Sequence, residues 1–186
     1  EVKSPDDRVE MKLVHVDGES LVTGVATTVV DASVEECAAY EFYFDSREFK
    51  RTAKKFDIID HNTTFVNQHT LYYFTTRVLS KLLSPREARN KVTWKKEEDG
   101  KVVIDISDTK HTNDGLKTEV GNVVISIHNV WVFEPLKAIG EVPQTAVSFT
   151  TRIDFKGSIP KLVMNLIAPR FLNQVSDLRK RFDESK

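Results

Sequence analysis

Hydrophobic positions along the chain follow two periods. Towards the C-terminus they recur at steps of three and four. Ile159, Val163, Ile167, Phe171, Val175, Leu178 and Phe182 form one continuous apolar face, which predicts a long helix that something apolar must cover. Gly157 and Ser158 end the preceding strand, Ser158 is the expected cap, and Pro160 sits near the first turn, where its missing N–H is no loss. Pro169 interrupts the pattern. It cannot donate to the Asn165 carbonyl, so a kink or break is expected there, dividing an apolar front half from a back half ending in Arg179, Lys180 and Arg181. Those cations suit the C-terminal end of a helix dipole.

Upstream the period is two. Strands are expected over residues 8–16, 20–30, 56–61, 65–78, 88–96, 102–109, 120–133 and 145–155, eight in all. Asp17-Gly18 and Asp99-Gly100 are hairpin turns, Asn62-Thr63-Thr64 reads as a turn, and Asn113-Asp114-Gly115 marks a longer polar loop. After the second strand, Asp31 or Ser33 is the expected helix cap, with Glu36 three residues after Ser33 completing a capping box. The poorly amphipathic stretch through Ala38, Tyr40, Phe42, Phe44 and Phe49 reads as two short helices broken near Asp45-Ser46. Short connections favour neighbouring antiparallel strands in one strongly curved sheet. The fold class is therefore α+β, and without a linker or internal repeat residues 1–186 are expected to form a single domain.

Alternation assigns the faces. Thr145, Val147, Phe149, Thr151, Ile153 and Phe155 point inward, opposite Ser148, Thr150, Arg152 and Asp154. Ala88, Asn90, Val92 and Trp94 share one face, as do Val102, Ile104 and Ile106. The run from Val120 is apolar on both sides, so either Asn129 and Trp131 or His128 faces in; the former is preferred. Polar Asn90 and Thr151 among inward apolar residues each need a partner, since an unsatisfied buried polar group costs roughly 1–3 kcal/mol. A side chain, a buried water or a ligand head group would serve.

Composition narrows the function. A net charge of −1 on 186 residues gives no basic field for nucleic acid. Cys37 is the only cysteine, which points to a reducing, cytoplasmic setting without disulfides. No signal peptide opens the chain, which begins at Glu1 and reads as an excised domain, and residues 120–133 are too few to span a bilayer. His15, His61, His69, His111 and His128 lack metal-ligand spacing, so neither metal nor cofactor is expected. There is no Gly-x-Ser-x-Gly elbow and no glycine-rich phosphate loop. Glu97-Glu98-Asp99 abuts a turn, Cys37 sits among acids that disfavour thiolate, and Arg152 with Asp154 reads as a surface pair. Nothing here assembles a catalytic constellation, and the chain is expected not to be an enzyme.

At Leu83-Ser84-Pro85-Arg86-Glu87, and again at Asp154-Phe155-Lys156-Gly157-Ser158-Ile159-Pro160-Lys161, the chain resembles the steroidogenic-acute-regulatory-related lipid transfer (START) domains, and its element order matches theirs from Arg8 to Phe182. The resemblance implies a helix-grip fold, a curved antiparallel sheet wrapped around the C-terminal helix with two short helices after the second strand, enclosing a tunnel for one lipid. It implies a lid formed by that helix with the loop from His111 to Glu119. Glu87 stands where the family has aspartate, Asn122-Val123-Val124-Ile125 replaces a Val-Arg-Ala-Glu-like segment, and Val92 stands where some members bury an arginine. Those departures favour a less polar cavity, or a polar anchor at Asn90, His69, Tyr73 or Arg77. The tunnel walls would be Val92, Trp94, Ile104, Trp131, Phe149, Thr151, Ile153, Val163, Ile167 and Phe171.

The implied function is binding of one sterol, phospholipid, ceramide or fatty acid by a monomer that touches membranes transiently and transfers its lipid, Pro169 serving as hinge. The alternative is a ligand-sensing regulatory module of a larger protein, without transfer. An enzyme on a related cavity fold would need an inward acid–base pair, and the assigned inward faces offer no carboxylate.

Overall fold

A computed structural model describes residues 2–15, 19–53, 57–110 and 119–183. The Asp17-Gly18 turn and most of the His111–Glu119 lid loop lie outside the described residues. The chain runs β1 (Glu10–His15), β2 (Leu21–Val30), α1 (Val34–Phe42), α2 (Arg47–Thr52), β3 (Ile58–Asn67), β4 (Thr70–Arg77), β5 (Arg86–Lys96), β6 (Val102–Asp108), β7 (Val123–Val124), β8 (Ser126–Ile139), β9 (Val142–Asp154) and α3 (Lys161–Arg181). The strands form one sheet in the order β1-β2-β9-β8-β6-β5-β4-β3, with β7 beside β5. Its inner face holds α3, so the architecture is the expected helix-grip: a curved antiparallel sheet around a long C-terminal helix, with two short helices after β2.

Local chemistry accounts for the helices. The Ser33 side chain accepts from the Glu36 N–H while the Glu36 carboxylate accepts from the Ser33 N–H, the full capping box. Ser46 caps α2 through the Phe49 N–H, so the break falls where Asp45-Ser46 placed it. For α3 the expected cap is wrong. Pro160 occupies the cap position, and no side chain among the described residues bonds to the first turn. A break at Pro169 is also absent: α3 is continuous through it. One proline removes a single ladder bond, and the packing of both flanking turns outweighs that loss.

The strand boundaries differ in two places. Asn62-Thr63-Thr64 is mid-strand in β3, paired with β4, and the turn falls at Asn67–Thr70, where the Asn67 side chain accepts from the His69 N–H at 2.8 Å. Polar residues are tolerated there because β3 is a sheet edge and largely exposed. The run 120–133 is two strands, which raises the total to nine among the described residues. Residues Val123–Val124 pair in parallel with Arg86–Glu87, and β8 then runs on to Ile139 to meet β9. Beyond Phe133 the β8 residues are exposed, so no burial pattern betrays that extension.

Burial follows the alternation. Val147, Phe149, Thr151, Ile153 and Phe155 are buried, as are Val92, Ile104 and Trp131, while His128 is exposed and bonded to Asp105 at 2.8 Å. The expected Arg152–Asp154 surface pair does not form. Asp154 instead accepts from the Ser20 hydroxyl and pairs with Lys156.

The apolar interior divides in two. One core joins Val92, Ile104, Trp131, Phe133 and Phe149 to α1 and to Leu172, Val175 and Leu178 of α3. The other joins Leu79, Ala88, Ile125, Ile127, Ile153 and Phe155 to Val163, Met164, Ile167, Ala168 and Phe171. Between them α3 touches the sheet at Gly24, where an added Cβ would lie 3.1 Å from Leu172 Cδ2. A methyl group there would require Leu172 to give by a few tenths of an ångström.

Candidate functional site

The inner faces of β4 and β5 carry the polar groups that the cores do not absorb. Antiparallel register sets Leu71 opposite Val92, Tyr73 opposite Asn90, Thr75 opposite Ala88 and Arg77 opposite Arg86. The Tyr73 ring stacks on Phe44 at 4.0 Å between centroids and meets Phe49 edge-on at 5.9 Å, so α2 fixes it in place. Its hydroxyl is buried and has no hydrogen-bond partner among the described residues, and the Asn90 amide Nδ2 is in the same condition. Burial pushes the Tyr73 phenol well above its ordinary pKa, so it remains a neutral donor.

Thr151 contrasts with Asn90. Its hydroxyl donates to Asn129 Oδ1 at 2.6 Å, so of the two polar residues flagged by alternation one is satisfied by a neighbouring side chain. Arg77 extends towards α3, its guanidinium 5.5 Å from the centre of the Phe171 ring. Burial lowers its pKa against the opposing charge of Asp57, which itself pairs with Arg170 of α3 at 2.8 Å.

A cleft of about 60 Å³ opens between α1, α2, β4 and α3, with Tyr40, Glu41, Tyr73, Arg77, Gln174 and Asp177 around it. That volume holds a few waters rather than a lipid. Glu41 is pushed up to about 8, first by burial and then by the charge of Asp177 across the cleft. A second groove of about 180 Å³ lies between α1 and strands β5 and β6, bordered by Ala38, Phe42, Tyr43, Trp94 and Val102.

Most of the expected site residues fall into two groups. Val92, Ile104, Trp131, Phe149 and Tyr73 belong to the first core, with Trp131 and Phe149 rings 4.3 Å apart. Ile153, Val163, Ile167 and Phe171 belong to the second. His69 stands apart, exposed in the β3–β4 turn with its ring 4.4 Å from Trp94, whose indole N–H donates to the Gln68 carbonyl at 2.9 Å. Arg77 and Asn90 sit at the border between the groups.

Sequence reasoning missed Arg86, which is 4% exposed on the inner face. It is in phase with Ala88, Asn90, Val92 and Trp94, so carrying the alternation back two residues would have found it. Cys37 is buried and its thiol is pushed up to about 12, chiefly by desolvation, which leaves it inert. Among the described residues no cluster of three or more His, Cys, Asp or Glu could hold a metal ion, and no helix is long and apolar enough to cross a membrane.

No family model matches the sequence, and no curated protein sequence matches it. Solved structures do resemble it. The human StarD13 (DLC2) lipid transfer and protein localization domain aligns with a TM-score of 0.73 at 16% identity, over 98% of this chain and 88% of that one. A STAR-related lipid transfer protein fragment from Xanthomonas axonopodis gives 0.70 at 14% identity, over 97% and 96%. Human StAR-related lipid transfer protein 5 gives 0.67 at 18% identity, over 92% and 86%. At such identities the likeness establishes a START-type helix-grip fold.

Proposed function

We propose that this chain holds one hydrophobic lipid between the N-terminal half of α3 and the inner sheet, as a monomeric START-type domain without catalysis, and carries it between membranes. The observation that supports this best is the pair of buried donors, Tyr73 hydroxyl and Asn90 amide, that lack acceptors among the described residues beside an apolar interior. A lipid supplies what such a site needs: acceptor oxygens for the donors and an apolar body for the walls. At about 0.8 kcal/mol per buried methylene, a ten-carbon stretch of acyl chain contributes on the order of 8 kcal/mol. The names of the similar structures agree with that reading.

Room for the lipid would come from the second core. Its α3 side consists of Val163, Met164, Ile167, Ala168 and Phe171, the turns around Pro169, and outward movement of this segment would expose Ile127, Ile153 and Phe155 to a guest. On the outer side of the same half-helix Leu162 and Leu166 are 74% and 65% exposed, and Leu82 in the turn before β5 is 81% exposed. These side chains give the domain its transient, peripheral membrane contact. Native mass spectrometry of protein purified from a lipid-rich extract tests the binding. A bound species of lipid mass is expected; protein that stays empty with sterol, ceramide, phospholipid and fatty acid alike would end the proposal. Movement of labelled lipid between two vesicle populations then separates a carrier from a sensor that holds its ligand in place.

A further inference from the structure

The cleft between α1, α2, β4 and α3 gathers more acceptors than its own donors reach. Tyr40 and Glu41 enter it from α1, Gln174 and Asp177 from one turn of α3, and Phe44, Phe49 and Tyr73 give it aromatic walls. The half-buried Glu41 carboxylate makes no hydrogen bond or ion pair among the described residues. Gln174 Nε2 donates to the Phe171 carbonyl at 2.8 Å, which leaves Oε1 as an acceptor that no described donor meets. Tyr73 is 5% exposed, its ring is stacked on Phe44 in the cleft wall, and its hydroxyl has no partner among the described residues. Asp177 adds a second carboxylate, and its charge is the one that acts on Glu41. The other charges around the cleft are engaged elsewhere. Arg181 of α3 and Glu48 of α2 act on Tyr40, while the Arg77 head lies 5.5 Å from the Phe171 ring and in the field of Asp57. The described residues therefore set oxygen acceptors and aromatic rings around a volume of about 60 Å³ and offer Glu41 no cation.

We infer that this cleft is a binding site for a small primary ammonium ion, held by the Glu41 carboxylate with Gln174 Oε1 and the Asp177 charge on the α3 side. The inference does not depend on the lipid-binding reading. A primary ammonium brings one positive charge and three N–H donors, which is what the acceptors lack. Its carbon stem lies against aromatic faces, which favour a cation. Room for a few waters is room for an amino group and a short stem, and a quaternary ammonium is both larger and without donors. Before binding, burial and the Asp177 charge keep a proton on Glu41, whose pKa is pushed up to about 8. The ammonium supplies the counter-charge, so the Glu41 O–H bond breaks and its proton leaves to solvent as the cation enters. Charge balances at one proton out for each ammonium in. The same chemistry belongs to a free amine and to the amino head of a lipid, and the test separates them.

The test titrates the whole chain with ethylammonium chloride in a calorimeter. Ethanol serves as the neutral analogue, tetramethylammonium chloride as the cation without N–H donors and potassium chloride as the simple ion, all at one ionic strength. At about pH 8.5, where the amine is still protonated, ethylammonium is expected to bind at least about tenfold more tightly than any of the three. Below about pH 8 its affinity should fall by about tenfold per pH unit, with one proton released per ammonium bound. Glu41→Gln should abolish that pH dependence and most of the affinity. Tyr73→Phe should weaken binding by about two- to tenfold and leave the pH dependence in place. Should Glu41→Gln fail to fold, Asp177→Asn carries the comparison: weaker binding, with the pH profile moved to lower pH because the charge that raises Glu41 is gone. For the lipid source, vesicles of dioleoyl phosphatidylethanolamine and dioleoyl phosphatidylcholine offer the same chains and phosphate with a primary or a quaternary ammonium, and uptake is read by native mass spectrometry. Preference for the first that Glu41→Gln removes, without a response to ethylammonium, assigns the site to a lipid head; a response to ethylammonium alone assigns it to a free amine. Equal responses to ethylammonium, ethanol and potassium with no preference between the lipids, or proton release that survives in Glu41→Gln, overturn the site and leave the lipid-binding reading standing.

Discussion

The two halves of α3 are held by different physics. From Phe171 onward, Leu172, Val175 and Leu178 are fully buried, and Arg179 stands in an ion cluster with Asp6 at 3.6 Å and Asp183 at 3.4 Å, to which Arg8 adds a bond to Asp183 at 3.0 Å. Burial would raise the Asp6 carboxyl, but the Arg8 N–H and the charges of Arg179 and Arg8 hold it below its ordinary value. Before Phe171 the helix has no side-chain cap among the described residues, a proline interrupts its ladder, and its outer leucines face solvent. The N-terminal segment of the chain thus locks one end of α3. The other end rests on apolar contacts that a guest of similar surface can replace, so binding requires half a helix to move and the fold can keep the rest.

The largest test of this contrast is Arg179→Met. It removes the Arg179 charge from beside the buried carboxylates of Asp6 and Asp183 and is expected to cost about 3–5 kcal/mol in denaturant unfolding. A cost below about 1 kcal/mol would show that the cluster does not lock the helix. Next comes Gly24→Ala, which drives a methyl group into Leu172 and should cost about 1–3 kcal/mol by overpacking, with lipid uptake altered in parallel.

Glu41 faces Asp177 of α3 across the cleft, with Tyr73 and Arg77 on the β4 side and Tyr40 beside it on α1. Its folded pKa of about 8 lies above the ordinary carboxylate value, so the folded state holds the extra proton. Stability should therefore fall as pH rises between about 5 and 8, and the slope should flatten in Glu41→Gln; an unchanged slope would remove Glu41 as its source. Pro169→Ala restores a ladder bond at the junction of the halves and is expected to slow lipid transfer more than it changes equilibrium binding. Equal effects on both, or none, would count against a hinge. The smallest effect on the fold is expected for Leu162→Glu with Leu166→Glu, within about 0.5 kcal/mol in stability, together with loss of vesicle association.

Most of the fold was legible because its elements are strongly periodic. The inward set Val147, Phe149, Ile153 and Phe155 and the α3 face through Val163, Ile167 and Val175 are buried as alternation and helical spacing required. Boundaries failed where periodicity carries no information. Polar edge residues Asn62-Thr63-Thr64 look like a turn until β4 pairs with them, and the doubly apolar run from Val120 hides the short parallel strand that takes the place β6 leaves beside Arg86. The candidate site was half legible. Asn90 and Tyr73 stand out by type and phase, but that Thr151 is satisfied by Asn129 depends on a neighbour distant in the chain. Arg86 lies in phase two residues before Ala88, at a strand start that an expected strand over 88–96 leaves out.

The close approach at Gly24 has a mechanical consequence. With Leu172 seated on bare backbone, α3 has a fulcrum near its middle, and the stretch from there back to Leu162 is a lever arm of about 15 Å at 1.5 Å per residue. A tilt of about ten degrees at that contact displaces the far end by about 2.6 Å, enough to prise facing layers of side chains apart without unfolding a single turn.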